Sequence, residues 1–171
     1  RYVFMVQKTK TIKVHDIIYE SLSPSNMYIH LPWTTNDVYW DAWDLTWPQR
    51  LSANRWYSTG IYWLWTFTAQ SSTGVWQTIR RNGSSIASDA TAGAVVWLSS
   101  WFILWADPWL LQTASSDIAE MLIYAWPYMT TWDINIVESY LALKYGMTLS
   151  QAPAQNYTLS WWIVAWNAAS G

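Results

Sequence analysis

The sequence predicts an all-β sandwich of two antiparallel sheets that carries one amphipathic helix near its C-terminal end. Three observations predict it. From Arg1 to about Asp117, short apolar or alternating runs follow one another, divided by Ser, Thr, Asn, Asp, Gly and Pro. The clearest of them alternate with period two, as in Val75-Trp76-Gln77-Thr78-Ile79-Arg80. After Thr130 the period changes to three and four, the spacing of one helix face.

The expected strands, in order, are Tyr2–Val6, Thr11–Tyr19, Met27–Leu31, Asp37–Trp40, Ile61–Thr68, Val75–Arg80, Ser84–Ala87, Val95–Leu98, Phe102–Trp105 and Ile118–Tyr124. Asn82-Gly83 is the strongest hairpin signal, because a type I′ turn needs positive φ at both central residues. It also explains Asn82-Gly83-Ser84 better than a glycosylation acceptor does, and the second such triplet is Asn156-Tyr157-Thr158. Thr130 followed by Asp133 forms a capping pattern with Asp in place of Glu or Gln. Ile134, Val137, Leu141 and Tyr145 then make one apolar stripe, with Asn135, Glu138 and Lys144 off it, and Gly146 suits the left-handed C-terminal cap. A helix this short needs a sandwich to dock on. Residues 1–149 are therefore expected as one domain, and 150–171 as a linker and the start of a following β-rich module, with Asn156–Ser160 strand-like.

Composition narrows the function classes. A hydrophobic fraction of 52% excludes intrinsic disorder. A net charge of −2 offers no general attraction to phosphate or anionic lipid, so nucleic acid is not expected as a partner. Runs such as Trp101-Phe102-Ile103-Leu104-Trp105-Ala106 are far below the roughly 20 residues that span a bilayer, so no transmembrane helix is expected. The absence of cysteine removes disulfides, thiolate metal sites and cysteine nucleophiles together. The chain opens on Arg1 and a strand-like run without an initiator methionine, and reads as a piece of a longer or processed protein. Tryptophan, at 17 residues, exceeds glycine, at 6, which suits sugar-stacking surfaces; yet Trp126, Trp161 and Trp162 stand where turn chemistry favours small or polar residues.

The densest acidic and aromatic cluster is Asp37, Trp40, Asp41, Trp43 and Asp44. Carboxylate oxygens suit Ca²⁺, making Asp37, Asp41 and Asp44 candidate calcium ligands, although the spacing lacks the EF-hand form. An indole face suits a sugar ring. The reading preferred over these is an edge-strand turn with solvated carboxylates and Trp40 in the core. Glycosidase chemistry is disfavoured, since retention needs two carboxylates about 5–5.5 Å apart. The three glutamates, Glu20, Glu120 and Glu138, are far apart, and Asp117 and Glu120 fall on opposite strand faces. His15 and His30 are isolated, so a structural role is expected for both rather than ligation.

Asp117-Ile118-Ala119-Glu120-Met121-Leu122-Ile123-Tyr124, a short turn, and Val137 to Leu149 with Tyr140-Leu141-Ala142-Leu143-Lys144-Tyr145-Gly146 carry a resemblance. They closely resemble the end of concanavalin A-like (laminin-G-like) jelly-roll domains of secreted, Bacteroidota-type bacterial surface proteins. There a last strand D-I-A-E-hydrophobic-hydrophobic-Y precedes a helix ending Y-L-A-x-K-Y-G. Upstream, Ile29-His30-Leu31-Pro32-Trp33, Asp37 to Ala42, Arg50-Leu51-Ser52 and Arg81-Asn82-Gly83-Ser84 are similar to earlier strands of that family in the same order. The resemblance covers roughly residues 2–149, and puts His30 near the middle of its sheet.

The resemblance implies a concanavalin A-like two-sheet jelly roll and a noncatalytic carbohydrate-binding or adhesion module, extracellular or at the cell surface, within a larger chain or assembly. Trp33, Trp40, Asp41 and Asn54 are the expected ligand-binding residues, with calcium as the one cofactor under consideration. A structural β-sandwich of a filament, secreted cargo complex or virion, its aromatics making protein contacts, is the second expectation. A glycan-active hydrolase is the third. Function has to come from a site rather than from the fold.

Overall fold

The computed structural model describes residues 1–13, 17–21, 27–32, 37–41, 50–54, 58–70, 77–90, 102–104, 114–124, 128–150, 156–160 and 163–166. Among the described residues the chain runs β1 (Tyr2–Thr9), β2 (Ile17–Ser21), β3 (Met27–His30), β4 (Asp37–Asp41), β5 (Arg50–Asn54), β6 (Trp63–Ala69), β7 (Gln77–Arg81), β8 (Ser84–Asp89), β9 (Phe102–Leu104), β10 (Ser116–Tyr124), α1 (Thr131–Tyr145), β11 (Tyr157–Ser160) and β12 (Ile163–Trp166). The expected strand at Val95–Leu98 lies outside the described residues. Residues 11–13 are not strand, and β5 adds one that the run-by-run reading omits although the resemblance includes its start.

Two antiparallel five-stranded sheets, ordered β10-β1-β6-β7-β8 and β5-β4-β3-β2-β9, make the sandwich. Alternation of side chains builds its core. Val3, Met5, Trp65, Phe67 and Ile79 of the first sheet meet Ile29, Val38, Trp40, Leu51 and Ala53 of the second. The run Tyr2-Val3-Phe4-Met5-Val6 is apolar throughout because β1 is buried on both faces. Its other face, with Tyr2, Phe4, Val6 and Leu64, packs under Ile134 and Leu141 of α1. Helix, sheet and sheet thus form three layers around two apolar clusters.

The Asn82-Gly83 turn has φ of 48° and 78°, the paired left-handed conformations a type I′ turn requires. Asn82 is also bonded on three sides: its N–H donates to the Leu64 carbonyl, its Oδ1 accepts from Leu64 N–H, and its carbonyl accepts from Ser150 N–H. The turn therefore ties β6 to the segment after the helix. The cap of α1 is a closed box, in which Asp133 N–H donates to Thr130 Oγ1 at 3.2 Å and Thr130 N–H donates to Asp133 Oδ2 at 2.7 Å. Gly146 closes the other end at φ 62°.

One helix residue departs from expectation. Glu138, expected off the apolar stripe, is fully buried. Its position four after Ile134 and three before Leu141 puts it on the stripe, and Arg80 of β7 neutralises it there, Nε and Nη2 each 2.8 Å from a carboxylate oxygen. Thr66 Oγ1 donates a third bond at 2.8 Å.

The last turn of α1 is clamped to β10. Lys144 Nζ donates to Glu120 Oε2 at 2.9 Å and Tyr145 Oη donates to the same oxygen at 3.0 Å. The Lys144 hydrogen bond, with that of Tyr145 behind it, holds the Glu120 carboxyl below its ordinary 4.5. A lowered folded value means the unfolded chain binds more protons, so this stability is present above the unfolded value and is lost as pH falls through the folded one. Glu120→Gln is accordingly expected to be slightly less stable than the parent at pH 7, the gap closing in urea titrations below pH 4.5. Beyond the helix, β11 and β12 pair into a separate hairpin that packs on α1; Tyr157 and Thr158 are buried, and the Tyr157 hydroxyl accepts from Leu149 N–H at 2.6 Å. The described helix is not long and apolar enough to cross a membrane.

Candidate functional site

On β4 and β5 the two-residue period separates two chemistries. Val38, Trp40, Leu51 and Ala53 face the core, whereas Asp37, Tyr39, Asp41, Arg50, Ser52 and Asn54 occupy the opposite face. Cross-strand register sets them in rows: Asp37 opposite Asn54, Tyr39 opposite Ser52, Asp41 opposite Arg50. Facing side chains in such rows start about 5 Å apart, within reach of one ligand. The next strand, β3, adds Tyr28 beside Asp41 and His30 beside Tyr39.

This face is closed at one end and open at the other. Asp41 and His30 are 0% and 1% exposed, and Tyr28 is 8%. Asp37 and Tyr39 are half-buried, and Ser52 and Asn54 are exposed. At the closed end Arg50 grips Asp41 with two parallel bonds, Nε to Oδ1 and Nη2 to Oδ2, both 2.7 Å. Hydrogen bonding to Asp41 raises the Arg50 pKa, so the guanidinium is a permanent cation. It lies 4.9 Å from the Tyr39 ring centroid. Burial, and then the nearby Asp37, push the Tyr39 phenol upward, keeping it a neutral donor and acceptor at pH 7. His30 stacks on Tyr28 at 5.7 Å with its Nε2 3.6 Å from Asp41 Oδ2, longer than a hydrogen bond. It lies on the central strand of its sheet, the position expected for it, whereas His15 lies outside the described residues.

The residues expected to bind ligand are thus divided. Asn54 stands on the open end, with Asp37 opposite it. Trp40 does not: it is fully buried, its indole Nε1 donates to the Thr68 carbonyl at 3.0 Å, and its ring packs 5.6 Å from Phe67. No face of that indole can meet a sugar, and its role is to join the two sheets. Asp41 is a wall of the site rather than a contact, both of its oxygens being occupied by Arg50. Trp33, Trp43, Asp44, Trp126, Trp161 and Trp162 lie outside the described residues.

Of the expected calcium ligands, Asp37 and Asp41 are described and Asp44 lies outside the described residues. Asp37 and Asp41 share a face but are four residues apart, about 13 Å along a strand, whereas Ca²⁺ ligands lie at about 2.3–2.6 Å from the ion. An ion at Asp41 would have to displace a bidentate guanidinium. Among the described residues no group of three or more His, Asp or Glu side chains gathers in metal-holding geometry. Arg50, Tyr39 and Ser52 were not among the expected contacts; the alternation of Asp37, Tyr39 and Asp41 against Val38 and Trp40 is the signal that groups them.

The open end offers a carboxylate, a phenol, a hydroxyl and an amide, with the Asp41 and Arg50 charges cancelling behind them. That set both donates and accepts, and its one carboxylate, Asp37, disfavours an anion, which suits a polyhydroxylated neutral ligand.

A family model described as a domain of unknown function, DUF8202, matches residues 133–171. The stretch takes in nearly all of α1 together with β11 and β12, and so runs across residue 149. No curated protein matches the chain.

Proposed function

We propose that the chain is a noncatalytic extracellular carbohydrate-binding or adhesion module, a concanavalin A-like jelly roll within a larger surface or secreted protein. The observation that carries this reading is the open end of the β4–β5 face, where Asp37, Tyr39, Ser52 and Asn54 stand in two facing rows. Arg50, held by Asp41, orients the phenol at its inner edge. Catalysis is set aside because Asp37 and Asp41 stand about 13 Å apart along β4, beyond the about 5–9.5 Å that glycoside hydrolysis uses. A glycan array run with and without chelator tests the reading. Binding to at least one neutral glycan, unchanged by chelator, is the expected outcome; an array with no bound glycan under either condition contradicts it.

A second reading is favoured by a different observation. Tyr140 and Leu143 on α1 and Val164 on β12 are 41%, 44% and 48% exposed. As a structural or interaction module, the chain would bury such side chains against a neighbouring protein. Sedimentation of the purified chain separates the two, since self-association weakened by Leu143→Glu supports only this second reading.

A further inference from the structure

α1 covers only part of the outer face of the first sheet. It lies over β1 and β6 through Ile134 and Leu141 and meets β7 through the Glu138–Arg80 pair, while among the described residues Ser85 and Ser88 of β8 stay exposed beside it. There a cavity of about 340 Å³ opens between the start of the helix and the sheet. Because Phe67 and Ile79 point into the core, alternation turns Thr68, Thr78 and Arg80 outward, and they line the cavity with Ser85, Ser88 and Tyr128. Thr68 and Thr78 face each other across the strands and share a hydroxyl hydrogen bond. Ser88 stands opposite Thr78 and Ser85 opposite Arg80, so the hydroxyls form a continuous floor. Tyr128 supplies a side wall and is 56% exposed, more than any other large hydrophobic or aromatic side chain among the described residues.

We propose that this cavity is a second, independent ligand site, for a neutral saccharide of one or two rings. Its charge argues against an anion. Arg80 is the only cation in the lining, and both of its bonds toward α1 end on the Glu138 carboxylate. The helix N-terminus, which elsewhere attracts anions, is occupied by its own box of Thr130 and Asp133. What remains is mainly a set of hydroxyls, each able to donate and accept, with the Gln70 amide, one ring with an apolar face, and Met129 and Ile134 as apolar wall. Those are the partners of a sugar's hydroxyls and of its C–H face. The volume sits at the small end of the roughly 300–1,000 Å³ of small-molecule sites, which limits the ligand to a mono- or disaccharide or the end of a longer glycan.

NMR titration of the full chain, labelled at threonine methyls, tests the site. The probes are glucose, galactose, mannose, N-acetylglucosamine and their common disaccharides, with sodium sulfate as the anionic arm. At least one saccharide is expected to shift the Thr68 and Thr78 methyls, and sulfate is not. Ser88→Trp, at an exposed position, should fill the cavity and abolish those shifts, while Tyr128→Ala should weaken binding by up to about tenfold. Silence of both methyls with every saccharide, a response to sulfate in place of sugar, or shifts that survive Ser88→Trp would each overturn the proposal. With ¹⁵N labelling added, the Asn54 side-chain amide reports the β4–β5 face in amide spectra of the same titration. A sugar-induced shift of that amide, present or absent independently of the Thr68 and Thr78 methyls, therefore separates failure of that reading from failure of this one.

Discussion

Trp40→Ala is expected to lower the free energy of unfolding by about 3–5 kcal/mol, a large share of the roughly 5–15 kcal/mol that holds a typical domain folded. The side chain is fully buried, packs against Phe67, and donates its indole hydrogen to the Thr68 carbonyl of the opposite sheet. Removing it leaves a cavity between the sheets and takes away a hydrogen bond that joins them. Trp40→Phe fills much of the space and is expected to lie between the two in urea denaturation. A tryptophan serving as a sugar platform would behave in the opposite way, losing affinity with its stability unchanged.

The second large effect is expected at the helix–sheet junction. Arg80→Met leaves the fully buried Glu138 carboxylate without its cation and should cost about 3–5 kcal/mol, as breaking a buried pair from one side does. Glu138→Leu alone strands Arg80 less severely, because its side chain keeps 16% exposure. Combining the two removes both charges, and the double variant is expected to be much more stable than the sum of the single losses predicts. Additive losses in the cycle would mean that the pair does not act as a unit.

These two sites show what the sequence made legible. The Asn82-Gly83 turn, the Thr130 and Gly146 caps and, among the described residues, most of the strand runs are local signals, set by backbone conformations only a few residues long, and they stand where the sequence predicts them. The two-sheet sandwich with a docked helix follows from the same patterns. Glu138 is buried although it is charged, and only the long-range contact of β7 with α1 reveals Arg80 as its partner. The expected binding residues divide for a different reason. Grouping Trp40 with Asp41 treats neighbours in sequence as neighbours in space, whereas a strand sends them to opposite faces. Applied strictly, the same period joins Asp37, Tyr39 and Asp41, and across the register Arg50, Ser52 and Asn54. The partner strand was the missing piece, since β5 has only Leu51 and Ala53 to mark its core face.

The most direct measurement is the affinity of Asn54→Ala for the strongest glycan found on the array, taken together with its unfolding free energy. Asn54 is exposed at the open end of the β4–β5 face, so its loss should leave stability within about 0.5 kcal/mol of the parent. Binding through that face predicts an affinity at least about tenfold weaker, the loss of one or two hydrogen bonds to the ligand. Unchanged affinity at unchanged stability would contradict it, and would move the binding surface away from β4 and β5.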